Sequence, residues 1–163
     1  MTTDVQDTNW QSPERQALRS AVTDLTAAEI APHLAGWEDE GQLPRELHAR
    51  VAQAGFLSVG FAEEVGGVGG SMIDSSIVSE AIVEAGGSSG VLSALFTHGI
   101  ALPHIVSAGD ADLIDRYVRP TLAGQLIGSL AVTEPGGGSD VAALTTRAER
   151  DGSDYVVNGA KTF

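Results

Sequence analysis

The sequence predicts a mainly α protein: an N-terminal helical bundle over residues 1–125, then the first strands of an unfinished antiparallel β-domain over residues 126–163. Three observations predict it. Apolar residues recur at helical spacing, framed by capping and stop signals, as far as about Gly124. Beyond that point β-branched residues and alternation take over. Asp151-Gly152 and Asn158-Gly159 are then the two strongest hairpin signals in the chain.

Ser12 before Pro13 reads as an N-cap and first helical position, with Glu14 suited to the helix dipole. Leu18, Val22 and Leu25 then form one apolar face, and Pro32 ends or kinks the helix. Pro44 opens a second helix, lined by Leu47, Val51 and Ala54 and terminated by Gly55. Residues 55–70, "GFLSVGFAEEVGGVGG", carry six glycines and read as a wandering loop. Ser71 caps a third helix, with Asp74 as its capping-box partner. Ile73, Ile77 and Ala81 make one stripe of that helix and Val78, Ile82 and Ala85 the next, so it is expected at the centre of the bundle. Gly86 and Gly87 end it. A fourth helix runs from Ser89 towards Gly99 with Val91, Leu92 and Leu95 inside, and Pro103 and Gly109 break up the segment beyond it. Asp110 caps a fifth, with Leu113, Ile114, Tyr117 and Val118, stopped by Pro120. "LIGSLAVTE" (126–134) reads as a buried strand.

Composition narrows the function. The net charge is −13, from 22 acidic against 9 basic residues, and no basic cluster interrupts it; a nucleic-acid partner is therefore not expected. There is no cysteine, which removes disulfides, thiolate catalysis and cysteine-ligated metals. His33, His48, His98 and His104 show no metal-ligand spacing, and no metal is expected. The first ten residues look like neither a secretory signal nor a transit peptide. No apolar run is expected to approach the roughly 18 to 20 residues that cross a bilayer, so the expected setting is cytoplasmic, with no membrane partner.

The stretch "TEPGGGSD" (133–140) carries the chemistry. It lacks the Lys-Ser/Thr of a phosphate loop and the G-x-G-x-x-G spacing of a dinucleotide fingerprint. One reading is a plain loop, with Pro135 setting one angle and the glycines permitting positive φ. The other is a ligand site, in which bare glycines expose N–H groups between the hydroxyls of Thr133 and Ser139. That combination suits a flat polar heterocycle better than a metal. "EDE" (38–40) and "EE" (63–64) read as solvated edges, and no G-x-S-x-G elbow supports a serine triad.

Three ordered blocks resemble one family. "LAVTEPGGGSDVAAL" (130–144) is similar to the flavin-site signature of the acyl-CoA dehydrogenases. "GQLPRELHARVAQAGFLSVGFAEEVGGVGG" (41–70) resembles that family's first helical hairpin and Glu-Glu-x-Gly-Gly loop. "SDYVVNGAKTF" (153–163) resembles the strand–turn–strand next to the signature. The resemblance implies an N-terminal helical domain, a middle β-barrel, here only begun, and a C-terminal helical bundle. It implies FAD as cofactor, acyl-CoA thioesters as substrates, α,β-dehydrogenation as the reaction and a place in fatty acid metabolism. Electrons would pass to an electron-transfer flavoprotein or similar acceptor, and the full-length protein would be a homodimer or homotetramer.

Carried over by position, Leu130, Ala131, Val132, Thr133, Gly138, Ser139 and Phe163 would contact the cofactor. Ser139, Ser93, Phe96 and Thr97 would contact the acyl-CoA. The family's glutamate base lies in the C-terminal bundle, so no catalytic residue is expected in this chain, and Glu134 is not that base. The chain itself is expected to be an inactive part of a longer enzyme. The alternatives are a flavin monooxygenase or nitroalkane-oxidising relative on the same scaffold, and a non-catalytic helical module whose acidic surface docks a partner. Fold alone does not separate these chemistries.

Overall fold

A computed structural model describes residues 9–162. The chain divides into two compact units, residues 1–128 and 129–163, each described by itself.

The first unit is all helix and turn. Helix α1 (Pro13–Glu29) begins where the Ser12 hydroxyl accepts from the Arg15 N–H at 3.3 Å, with Pro13 in its first turn. Val22 is fully buried, with Leu18 and Leu25 packed beside it. A short helix α2 (Leu34–Glu40), not expected from the sequence, comes next and ends at Gly41 with left-handed φ. It lays Leu34 and Trp37 on the core. Helix α3 (Arg45–Gln53) starts after Pro44 and buries Leu47, His48 and Val51. The glycine-rich stretch 55–70 is more ordered than a wandering loop. It holds two 3-10 turns, Phe56–Ser58 and Glu63–Val65, tied by backbone bonds from Gly60 to Gly69 and from Gly69 to Phe61.

Helix α4 (Met72–Glu84) starts at Ser71, whose N–H donates to the Asp74 carboxylate at 2.7 Å. It buries Ile77, Val78, Ala81 and Ile82, as its two stripes predict. Helices α1 and α4 pack side by side in the same direction: Arg15 meets Asp74, and Arg19 meets Glu80 and Glu84 at 2.6 and 2.7 Å. Val22, Leu47, Val51, Ile82 and Leu95 belong to one cluster. Val65, Leu102, Val118 and Leu122 form a second.

Helices α5 (Ser89–Phe96) and α6 (His98–Ala108) correct two expectations. Pro103 lies inside α6 rather than breaking it. Its missing N–H deprives only the carbonyl of Gly99, an exposed residue whose oxygen water can satisfy. Ser89–Ala108 is also 20 residues with a mean hydropathy of 1.5, so an apolar run of membrane-spanning length is present. Val91, Leu95, His98 and Leu102 are packed into protein core, while 22% of the apolar segment as a whole is buried.

Asp110 caps the last helical segment, accepting from the Leu113 N–H at 3.1 Å. Helix α7 (Ala111–Leu113) widens into a π turn (Ile114–Val118) and continues as α8 (Arg119–Leu122). Pro120 therefore does not stop it. The π turn restarts the helix at Arg119, which puts Pro120 in a first turn where no N–H is required.

In the second unit, β1 (Arg147–Asp151) pairs antiparallel with β2 (Asp154–Asn158), with Arg147 opposite Asn158 and Asp151 opposite Asp154. Gly152 at φ 63° takes the first turn position and Ser153 the second, the pattern of a type II′ hairpin. "LIGSLAVTE" is not a buried strand: Leu126, Ile127 and Leu130 are exposed and unpaired. A strand is buried by packed neighbours, and among the described residues β1 and β2 pair only with each other. Likewise Asn158-Gly159 ends β2 without opening a second hairpin among the described residues.

Candidate functional site

The Thr133–Asp140 stretch is organised around one carboxylate. Glu134 and Gly137 exchange backbone hydrogen bonds of 3.3 and 3.1 Å, closing a tight turn with Pro135 and Gly136 at its centre. The Glu134 side chain folds back under the loop and is 7% exposed. Its oxygens accept from the Thr145 N–H at 2.7 Å, the Thr145 hydroxyl at 2.8 Å, the Thr146 N–H at 2.9 Å and Lys161 Nζ at 3.0 Å. Thr146 and Thr145, through their N–H groups and the Thr145 hydroxyl, hold the carboxyl well below the usual carboxylate range. Four donors occupy the roughly four lone-pair sites of a carboxylate. That geometry commits Glu134 to holding the loop.

Lys161 and its neighbour Thr162 also reach the residues before Glu134. Lys161 Nζ also donates to the Val132 carbonyl at 3.0 Å, and the Thr162 N–H donates to the Thr133 carbonyl at 2.9 Å. Gly159, at φ 154°, makes this approach possible. A Cβ there would sit 2.2 Å from the Thr146 hydroxyl and 2.7 Å from its Cα.

The predicted cofactor residues fall on this clamped stretch. Leu130 and Val132 are exposed, at 42% and 36%, as are Leu126, Ile127, Val141 and Leu144 on either side of the loop. Ala131, Gly138 and Ser139 are exposed and Thr133 is half-buried. The turn brings its two ends together, since a Cβ on Gly138 would lie 3.9 Å from Thr133 Cγ2. Phe163 lies outside the described residues. Gly136, Gly137 and Gly138 do not have positive φ, which corrects the plain-loop explanation for them. A Cβ on Gly136 or Gly137 would meet nothing within 4 Å, so packing does not require glycine there either. Exposed apolar surface, two hydroxyls and bare backbone on one fixed loop fit a flat heterocycle with a polar edge, as FAD has.

In the helical unit, Ser93, Phe96 and Thr97 share one helical turn by their spacing. Ser93 is exposed, and its carbonyl accepts from the Thr97 hydroxyl. Phe96 is half-buried against the first cluster, its ring 6.1 Å from that of His98. His98, whose place no sequence signal announces, is 3% exposed. Its Nε2 lies 2.7 Å from the Leu57 carbonyl and its Nδ1 3.0 Å from the Leu95 carbonyl, with Phe61 stacked at 6.0 Å. It therefore pins the start of α6 to the first 3-10 turn. Lys161, Thr145 and Thr146 also escape sequence reasoning; only the proximity of "NGAKTF" to the glycine motif hints at the first.

This fold and motif agree with what comparison finds. The acyl-CoA dehydrogenase N-terminal domain matches residues 12–125 and the family's middle domain residues 129–163. The chain belongs to the acyl-CoA dehydrogenase family. It is 36% identical over 153 residues to the mitochondrial long-chain specific acyl-CoA dehydrogenase of Sus scrofa, covering 93% of this chain and 35% of that one. A solved structure of a probable acyl-CoA dehydrogenase from Mycobacterium abscessus is 63% identical with a TM-score of 0.92, over 94% of this chain and 41% of that one. A glutaryl-coenzyme A dehydrogenase solved with glutaryl-CoA is 30% identical with a TM-score of 0.83, over 93% and 39%. The chain thus spans well under half the length of these relatives.

Proposed function

We propose that this chain supplies the helical and first middle-domain part of an FAD-dependent oxidoreductase that dehydrogenates an acyl-CoA thioester between its α and β carbons. The observation that carries the reading is the Thr133–Ser139 loop, clamped from below and bare above, in a chain of this family. FAD, when bound, would take up the β-hydrogen as hydride. This chain's residues hold and orient. Leu130, Ala131 and Val132 offer a flat apolar edge to the ring system, the Thr133 and Ser139 hydroxyls donate to its polar edge, and Gly138 lets it lie close. Phe163 would pack against it. Ser139 would contact the acyl-CoA, and in the helical unit Ser93, Phe96 and Thr97 would line the acyl chain. The reduced cofactor would be reoxidised by an electron-transfer flavoprotein or similar acceptor.

Anaerobic titration of the full-length protein with acyl-CoA thioesters of graded length tests this. Bleaching of the flavin's visible bands by at least one thioester is expected. A flavin that no acyl-CoA bleaches would count against dehydrogenation and favour an oxygen-using relative.

A further inference from the structure

The backbone of Val132 and Thr133 is bonded on one side only. Both carbonyls are taken, Val132 by Lys161 Nζ at 3.0 Å and Thr133 by the Thr162 N–H at 2.9 Å. No described residue accepts from the N–H of Val132 or of Thr133. Both N–H groups are thus left to donate to a ligand, while each carbonyl already accepts a bond from within the protein. What keeps the Val132 carbonyl occupied is an ammonium shared with Glu134 Oε1 at 3.0 Å, and that carboxylate is itself fixed by Thr145 and Thr146. Lys161 is 26% exposed and Glu134 7%, so water competes weakly for the pair.

We propose that Lys161, held by Glu134, is a positioning residue. It fixes the Val132–Thr133 backbone so that its unbonded N–H groups are held ready for the acceptor edge of the bound heterocycle. This rests on the flavin reading above for the identity of that heterocycle. Lys161 touches neither cofactor nor substrate in this role and acts through the Val132 peptide. Removing the ammonium frees the Val132 carbonyl, lets its peptide plane turn and places an acceptor where the ligand also has acceptors. Preorganised donors of this kind lose their advantage once they must be reoriented on binding.

The test compares full-length wild-type protein with Lys161→Met and Lys161→Arg. Lys161→Met is expected to weaken FAD binding about tenfold, the scale of one lost charge-assisted hydrogen bond, and to shift the visible bands of the flavin still bound. Lys161→Arg keeps donors for both oxygens and is expected to restore most of the affinity and the band positions. Without FAD, amide exchange at Thr162 is expected to quicken in Lys161→Met alone. A Met variant with wild-type affinity and band positions overturns the proposal. So does a loss that Arg fails to recover and that tracks the thermal midpoint, which would mark a merely structural lysine, and so does unchanged exchange at Thr162. Wild-type protein that takes up no FAD overturns the flavin reading and this positioning role with it. The failures are distinguishable because only the former leave wild-type flavin binding intact.

Discussion

Arg15 and Asp74, 59 residues apart in sequence, meet at 2.8 Å between Nε and Oδ1, joining the first turns of α1 and α4. Arg15 is 5% exposed and Asp74 17%, and the same carboxylate accepts from the Ser71 N–H and hydroxyl. One side chain thus caps α4 and anchors α1.

Asp74→Ala is expected to destabilise the helical unit by about 2 kcal/mol, since it removes one carboxylate from a buried guanidinium and takes the capping-box partner of Ser71 from the start of α4. Asp74→Asn keeps the cap and should cost less. Urea unfolding measures both. The hydrogen bond from Arg15, then those from Ser71, hold the Asp74 carboxyl well below its usual range, against the opposing effect of burial. A depressed carboxylate stabilises fully above its unfolded value, near 3.9, and the contribution is lost as pH falls through the folded value. Acid unfolding should therefore be shallower in the Asn variant.

His48 gives a pH response in a different window. Burial, then the positive charge of Arg45 and the neighbouring His98 ring, push its imidazole below the usual value. The folded state binds its proton less readily than the unfolded chain does. Its contribution is present above the unfolded value of about 6.5 and is lost as pH falls below it. The thermal midpoint should drop between neutral and mildly acidic pH, and His48→Gln should flatten that slope.

Two glycines should respond oppositely to alanine. Gly36 lies within α2 with nothing within 4 Å of its virtual Cβ, so Gly36→Ala should stabilise by about 0.5–1 kcal/mol through helix propensity. At Gly67 a Cβ would fall 1.9 Å from the Phe61 carbonyl oxygen, so Gly67→Ala must displace backbone and should lower stability by more than about 1 kcal/mol. Thermal unfolding of the two variants checks the contrast.

Thr133→Val and Ser139→Ala each remove a hydroxyl while leaving the Glu134 clamp untouched. Each is expected to weaken FAD binding by about three- to tenfold in the full-length protein with little change in thermal midpoint. Ser139→Ala should also raise the KM for acyl-CoA. Unchanged FAD affinity in both would place the cofactor elsewhere.

What is legible in the sequence is local. Ser12-Pro13, Ser71 with Asp74, Asp110 and Asp151-Gly152 announce caps and a turn within four residues, and each forms where expected. Helix α2 escapes notice because "LAGWEDE" holds a glycine, three acids and few apolar residues, so its helicity rests on Trp37 and Leu34 finding the core. Pro103 and Pro120 carry less weight as breakers than their residue type suggests; one missing N–H is harmless beside an exposed carbonyl or in a first turn. "LIGSLAVTE" has strand composition, but burial depends on partners that composition does not supply. The site divides in the same way. Thr133, Gly138 and Ser139 emerge from the glycine motif itself. The reach of Lys161 back over 27 residues to Glu134 is tertiary, and no periodicity or spacing announces it.

The central claim is that the Leu130–Ser139 stretch belongs to a flavin site, and its most direct test is the visible spectrum of the full-length protein purified with FAD present and then freed of excess. Flavin bands are expected to stay with the protein, close to one flavin per chain, and to weaken with Thr133→Val and Ser139→Ala. Protein that emerges colourless after incubation with FAD would contradict it.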